Sequence, residues 1–501
     1  MIRILSSQQI KALDAYTIQH EPIASIDLME RACRAFVNWF TERFDGRNTI
    51  AIVCGTGNNG GDGLGIARML QEWSYSVKVF VIRGSSETED FKVNLERLRG
   101  KVEVVEITSL DETIFSEYDV LIDAIFGSGL TRPPEGLFAQ AIHLMNKSVA
   151  VRIAVDIPSG LLADKVSKGE IFKADFTVTF QMPKLAFLFP SNHSFTGTWC
   201  TVDIGLNKSF IKEQQTSYYY IAAKDIRKIL KPRSKFDHKG TYGHALLMAG
   251  SYGKMGAALL SGRAVLRAGV GLLTMHVPEC GYVILQSSIP EAMASIDEHI
   301  HFITAIPELD KYTVVGTGPG LGQDKLTVKA FRKLLEDFRK PVVLDADALN
   351  ILSDNRELLL LIPAGSILTP HPKEFERLVG KWSDDFERLD KQKSLAKQLK
   401  SVVVLKGANT SIASPEGAVY FNSTGNPGMA TGGTGDVLTG ILTGLLAQGY
   451  SSLDTAIAGV YLHGLSGDIA ARERSMVSLI ASDIIEFLPA AFKKIMHEQK
   501  V

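Results

Sequence analysis

The feature that most restricts the fold of this sequence is a recurring succession: a short run of β-branched and aliphatic residues, a turn rich in glycine, then a helical stretch. In the first half such runs lie at 49–54, 76–82, 102–107, 120–126 and 152–156, separated by helical patterns near 65–73, 90–98 and 137–145. Strands separated by helices of that length need right-handed crossovers, which build a mostly parallel sheet covered on both faces. Two further runs, 176–180 and 198–204, are expected to complete a Rossmann-like three-layer α/β/α sandwich. Ahead of the sheet, Ser6 and Gln9 have the spacing of a capping box, and Met29, Ala32, Cys33, Phe36 and Phe40 form one apolar helical face.

The alternation lapses in a polar, basic stretch at 207–238 and then restarts. Strands are expected at 244–249, 272–277, 312–316, 342–345 and 402–405, with helices at 255–268, 325–337, 373–379, 435–446 and 453–473. A chain of 501 residues exceeds what one hydrophobic core usually supports, so two α/β domains are expected, 1–220 and 221–501.

Charge excludes one large class of function. Lys and Arg number 54 against 55 Asp and Glu, and without a basic block phosphate neutralisation cannot drive nucleic-acid binding. The apolar segment at 437–453 is broken by Thr439, Gly440, Thr443, Gly444, Gln448 and Gly449, which suits a core helix rather than a membrane span. The N-terminal apolar stretch is soon interrupted by Lys11 and Asp14, so export is not indicated. Cys33, Cys54, Cys200 and Cys280 have neither metal-ligand nor disulfide-framework spacing, which suits a reducing cytosol. A cytoplasmic homo-oligomer with no nucleic-acid or membrane partner is the expectation.

The run at 49–54 leads into Gly57, Asn58, Asn59, Gly60, Gly61, Asp62 and Gly63. A glycine turn at the end of a first parallel strand lets backbone approach a ligand, and the amides of the following helix favour an anion. A merely tight strand-to-helix turn would use the same glycines; the two asparagines and the aspartate add hard oxygen ligands that a turn does not need. Asp123 stands in the run at 120–126, which opens into Gly127, Ser128, Gly129, Leu130, Thr131, Arg132 and Pro133. Asp156 ends the run at 152–156, ahead of Pro158, Ser159 and Gly160. Strand carboxyl ends line the ligand crevice of an open α/β sheet, so these loops are expected to converge. An aspartate in an apolar strand needs a partner, and either a shared ligand site or neighbouring loop amides would supply one.

In this order, NNGGDG, DAIFGSGLTRPPEG, DIPSGLLAD and KADFTVTFQMPKLAF resemble the NAD(P)H-hydrate epimerase, or YjeF N-terminal, domain over about residues 5–210. The resemblance implies that Asn59, Asp123 and Ser159 help to bind a potassium ion. It also implies that residues 58–62, residues 127–133 and Asp156 bind a hydrated nicotinamide nucleotide, with Asp156 the candidate acid–base group.

In the second half, Gly432, Gly433 and Gly435 precede a strongly apolar helix, so free amides near Gly433 and Gly435 are expected to form an anion nest. Asp436 falls in the first helical turn, where the helix dipole is expected to keep it ionised. An acid beside a phosphate nest suits a base that activates a hydroxyl near a transferable phosphate; an ordinary helix-start aspartate is the alternative. Lys406, Gly407, Ala408, Asn409 and Thr410 offer a cation, a permissive turn and a hydroxyl at another strand end, and 318–322 follow a strand in the same manner. His371 lies between two prolines, where a rigid loop element is the usual role. Asp345 and Asp347 end a further strand, either as metal-assisting or as hydrogen-bonded structural acids.

GSYGKMGAALLSGRAVLRAG, GTGPGLG, LDADALN, LTPHPKEF, LKGANT and GGTGDVLTG resemble the nucleotide-dependent NAD(P)H-hydrate dehydratases, a ribokinase-like α/β fold, over about residues 225–495. By that resemblance Ala257, Gly320, His371 and Asp436 contact the hydrate. Lys406, Gly407, Ala408, Asn409, Thr410 and Gly435 then bind ADP or ATP as phosphate donor, with a magnesium ion. Epimerase first and dehydratase second resembles the bacterial bifunctional repair enzymes, for which ADP is the usual donor. Since GGTGD also marks the wider ribokinase-like group, a vitamin-precursor kinase fused to a nucleotide-binding module is the rival reading.

Overall fold

In the first half the aliphatic runs pair, all in parallel, into one sheet of seven strands. Across the sheet the order is Glu103–Glu106, Ser76–Val81, Thr49–Cys54, Val120–Ala124, Val151–Val155, Phe176–Phe180, Thr198–Val202. Both faces are apolar, as a covered parallel sheet requires. Ile50, Ile52, Ile122 and Ile153 pack on one side with Met29, Cys33, Phe36 and Phe40 from the helix Ser25–Thr41. Ala51, Val53, Leu121 and Ala154 pack on the other with Ile142 and Met145. The strand order reverses between Thr49–Cys54 and Val120–Ala124, and such a switch point opens a crevice at the strands' carboxyl ends.

The computed structural model describes residues 1–497 and divides into a unit Arg3–Thr216 and a second unit from Ser217 onward that includes Met1–Ile2. The division falls ahead of residue 220 because the aromatic strand Tyr218–Tyr220 pairs with Val419–Phe421 and so joins the second sheet. That sheet has eleven strands and is parallel from Met293–Ile296 through His244–Met248 to Val402–Leu405. Ser411–Ala413 and Val419–Phe421 then add antiparallel. These two, with Tyr218–Tyr220, Met293–Ile296 and Ile367–Leu368, are not expected from the sequence, because such short runs are recognisable only where they sit in the alternation of strand, turn and helix.

In the second unit the helix Thr434–Ala447 packs closely on Met255–Arg267. A Cβ at Gly440 would lie 2.2 Å from the Ser261 carbonyl oxygen, and one at Gly444 would lie 2.7 Å from that of Val265. The glycines that interrupt this apolar segment thus permit helix–helix contact. Among the described residues, no helix is long and apolar enough to cross a membrane.

Two local expectations are corrected. Residues 57–63 do not form a loop ahead of a helix at 65; the helix runs Asn58–Glu72 with Gly57 as its N-cap. Its glycines allow the helix to lie against the sheet: a Cβ at Gly60 would sit 1.8 Å from the Gly55 oxygen, and one at Gly63 2.5 Å from the Ala124 Cβ. Asp156 does not continue the strand, which ends at Val155; it follows with φ +65°, a left-handed conformation that aspartate tolerates better than most residues.

Candidate active sites

The first site lies at the switch point of the first sheet. Asn58 and Asn59 open the helix after Thr49–Cys54; Asn58 is exposed and Asn59 buried. Asp123, fully buried, ends the neighbouring strand. Its Oδ1 accepts from the Ser159 hydroxyl at 2.6 Å and the Ile125 N–H at 3.2 Å, and its Oδ2 from the Ser159 N–H at 2.7 Å. Burial raises the Asp123 carboxyl to about 6 against the pull of these donors. Ser159 Oγ also accepts from the Phe126 N–H at 2.8 Å and lies 3.3 Å from the Phe126 carbonyl. Asn59 flanks Gly127, and its buried Nδ2 has no hydrogen-bond partner.

Asn59, Asp123 and Ser159 are therefore brought together with the start of the 127–133 loop, whose Gly129, Thr131 and Arg132 are exposed. One carboxylate among neutral oxygens has the charge of a monovalent-cation site, and reversing the Asn59 amide would turn an oxygen to where the unpartnered nitrogen lies. The residues fit potassium.

Asp156 has its own polar set. Lys184 Nζ, from a side chain 1% exposed, donates to Asp156 Oδ1 at 2.7 Å. Thr179 Oγ1 and the Phe180 N–H donate to the same oxygen at 3.1 Å each. Oδ2 faces no donor among the described residues, so one carboxylate oxygen is held and the other is left for chemistry. Asp62 is held well above the usual carboxylate range by burial and by Asp156, Asp14 and Asp90.

Sequence reasoning assigned nothing to Lys184 or Asp14. A lysine inside the apolar run FQMPKLAF, which must find a partner if buried, was a signal for the first. Asp14 had no such signal, since a lone aspartate in a helix is ordinarily a solvated side chain.

The second site collects the carboxyl ends of five parallel strands and the N-termini of the helices Pro372–Val379 and Thr434–Ala447. After Val342–Leu344, Asp345 is buried, with Ala346 at φ +46° behind it. Lys406, after Val402–Leu405, donates to Asp345 Oδ1 at 2.7 Å and lies 3.8 Å from Glu374. Thr439 donates to Asp345 Oδ2 at 2.7 Å. Asp347 accepts from the Gly322 N–H at 2.9 Å and from Lys254 at 3.4 Å. Gly320, at φ +61°, takes a conformation that favours glycine, and a Cβ there would meet Ala257 at 3.2 Å; these two predicted substrate contacts do adjoin.

His371 caps the helix Pro372–Val379: its Nδ1 accepts from the N–H groups of Lys373 and Glu374 at 3.1 and 3.3 Å. Burial and then Lys406 hold its pKa below the usual value, and its partly exposed ring still faces the site. Thr410 Oγ1 accepts from the Gly407 N–H and donates to the Gly407 carbonyl, closing the 406–410 turn.

The helix Thr434–Ala447 starts at Gly433, with φ +90° and no side-chain cap, so its first amides are open to an anion. Ser261 donates to the Asp436 carbonyl and the half-buried His463 ring to that of Thr434, which fixes this end. A Cβ at Gly435 would lie 3.4 Å from Lys406 Nζ. The dipole does not set the state of Asp436 alone. Burial, then Asp345, push its carboxyl up to about 6, against Lys406, while Asp347 and Glu374 add to the rise. It is still ionised at neutral pH, and a carboxylate near that value is a better proton acceptor than a solvated one.

Lys406, expected to meet nucleotide, is thus first of all the counter-ion of Asp345, and neither Asp345, Glu374 nor Thr439 had been given this role. Among the described residues no cluster of three or more His, Cys, Asp or Glu is arranged to hold a metal. A magnesium ion would then rest chiefly on nucleotide phosphates, as it commonly does.

A family model described as YjeF-related protein N-terminus matches residues 25–186, and one described as NAD(P)H-hydrate dehydratase matches residues 245–490. The chain is 37% identical over 520 residues to the bifunctional NAD(P)H-hydrate repair enzyme of Moorella thermoacetica, covering 99% of this chain and 97% of that one. It is 34% identical over 468 residues to the enzyme of the same description from Escherichia coli, covering 92% and 88%. A solved ribokinase-like superfamily protein from Enterococcus faecalis aligns with a TM-score of 0.51 at 29% identity, over 56% of this chain and 98% of that one.

Proposed function

This chain belongs to the family of bifunctional NAD(P)H-hydrate repair enzymes, and from that premise we propose that Asp156 serves epimerisation in its first unit and Asp436 serves dehydration in its second. NADH or NADPH hydrated at C6 carries a hydroxyl beside the ring nitrogen. Opening of that carbon–nitrogen bond, or loss of the hydroxyl, scrambles the stereocentre, so an acid–base group suffices for interconversion. Asp156, with Oδ1 held by Lys184 and Oδ2 free of donors, is such a group. Asn58, Asn59 and the 127–133 loop border the same crevice and bind the hydrate there. Asn59, Asp123 and Ser159 hold a potassium ion, which when bound supplies fixed positive charge for an anionic group of the substrate.

Dehydration needs a better leaving group than hydroxide. Asp436 takes the hydroxyl proton as the oxygen accepts the terminal phosphoryl group of ADP or ATP, whose anhydride bond breaks to release AMP or ADP. The C6–O bond then breaks with its electron pair on phosphate, a proton leaves C5, and the dihydronicotinamide double bond returns. The open amides at Gly433 to Gly435 and the 406–410 turn bind the phosphates, while Lys406 moderates the acids around Asp436. Ala257, Gly320 and His371 border the hydrate. A magnesium ion, when bound with the nucleotide, would supply positive charge to offset that of the phosphates held by the open amides at Gly433 to Gly435 and the 406–410 turn. The four free cysteines suit a reducing compartment, which supports a cytoplasmic place of action.

The observation that carries this reading is a partly buried acid, raised to about 6, at an uncapped helix start beside a lysine. Purified S epimer with nucleotide and magnesium should regain dihydronicotinamide absorbance with release of one inorganic phosphate per turnover. A stable phosphorylated product instead would mark a small-molecule kinase.

A further inference from the structure

The helix Ser7–His20 lies outside the residues matched by the family models, yet it is fastened to the loop that follows Asp156. Both the N–H and the hydroxyl of Ser7 donate to Asp164 Oδ2 at 2.7 Å. Farther along, Thr17 is buried and its Oγ1 accepts from the Asn207 N–H at 3.0 Å. Asp14 stands seven residues after Ser7, within about 20° of two full helical turns, so both point from one face. That face is the one anchored on the 156–164 loop. Asp14 is half-buried, and no donor among the described residues reaches its carboxyl.

We propose that Asp14 is the second proton-transfer group of the epimerase site, working opposite Asp156. This rests on reading the first unit as the epimerase. Ring opening moves the C6 hydroxyl proton to Asp156, breaks the C6–N1 bond with its electron pair going to N1, and brings a proton from Asp14 to N1. Rotation about C5–C6 and the reverse transfers close the other epimer, and no co-reactant is consumed. The two acids suit opposite roles. Asp156 lies against an ammonium, whereas burial and the charge of Asp156 raise the Asp14 carboxyl to about 7, with Lys184 only partly opposing them. The charged or titratable groups facing Asp14 are Asp156, Lys184 and Asp62. Asp156, hydrogen-bonded to Lys184 through one oxygen, is placed as the base, and Asp14, which no donor reaches, as the acid.

The test is the pH profile of epimer interconversion by the full chain, measured without nucleotide on a purified epimer. An acid that must be protonated makes the wild-type rate fall as pH rises through about 7. Asp14→Asn should lower the rate at neutral pH by about 100-fold or more and abolish that alkaline fall, while nucleotide-dependent dehydration of the S epimer is unchanged. Asp14→Glu should recover part of the rate and keep the fall. Asp164→Asn, which loosens the anchor and lets water reach Asp14, should move the fall to lower pH. A normal rate in Asp14→Asn, or a reduced rate that keeps the alkaline fall, overturns the proposal. Failure of the wild-type chain to interconvert the epimers at all would instead overturn the reading of the first unit.

Discussion

Lys184→Met removes the ammonium from Asp156 while nearly keeping the side-chain volume, and its consequence follows from what remains. Lys184 is 1% exposed; it donates to Asp156 at 2.7 Å and Thr179 at 2.9 Å and lies 3.3 Å from the Phe180 carbonyl. Without it, Asp156 keeps two neutral donors, both on Oδ1 at 3.1 Å. Breaking a buried ion pair on one side costs about 3–5 kcal/mol, since the other charge is left uncompensated. Asp156→Asn in the same chain removes that charge and suits the left-handed backbone at this position, so the double variant should regain about 2 kcal/mol or more. Native-state hydrogen exchange at the amides of Val151–Val155 reports the first unit separately from the second. A loss below about 1 kcal/mol in Lys184→Met, or a double variant no more stable than the single, would refute the claim that this pair organises the site.

In the second unit, Asp436 must be ionised to accept a proton, so dehydration should rise with pH through about 6. Lys406→Met removes the charge that holds the Asp436 carboxyl down and should move that rise to higher pH; a pH–rate series on the S epimer reads both. Asp123→Asn should abolish any potassium response of epimerisation, and potassium should bind the wild-type chain better above pH about 6 than below it, because protonated Asp123 is uncharged; ion titration against the epimerisation rate checks this. Gly60→Ala puts a Cβ 1.8 Å from a backbone oxygen that cannot yield cheaply and should destabilise the first unit by about 1–3 kcal/mol, read by the same exchange measurement.

The parallel parts of both sheets were legible because apolar runs such as Thr49–Cys54, Val120–Ala124 and Val402–Leu405 alternate with helical stretches, a pattern with few alternative folds. Asp123 and Asp156 were legible because an acid at the end of an apolar run needs a partner, and Asp436 because it opens an apolar helix behind a run of glycines. The short strands were not, since Ile367–Leu368 is too brief to carry any period. The helix start at Asn58 was hidden by its glycines, which propensity assigns to a loop and which close approach to Gly55 and Ala124 retains within a helix. The pairings of Lys184 with Asp156 and of Lys406 with Asp345 join residues 28 and 61 positions apart, and only the folded sheet brings them together.

The division of labour is tested most directly by giving a mixture of both hydrate epimers, with nucleotide and magnesium, to the wild-type chain, Asp156→Asn and Asp436→Asn, and resolving the epimers as absorbance recovers. The wild type should convert the whole mixture. Asp156→Asn should convert the S epimer at the normal rate and leave the R epimer to its spontaneous conversion, while Asp436→Asn should interconvert the two and regenerate dihydronicotinamide about 10²–10⁴-fold more slowly. Full enzymatic conversion of the R epimer by Asp156→Asn, or normal regeneration by Asp436→Asn, would contradict the assignment of one acid to each reaction.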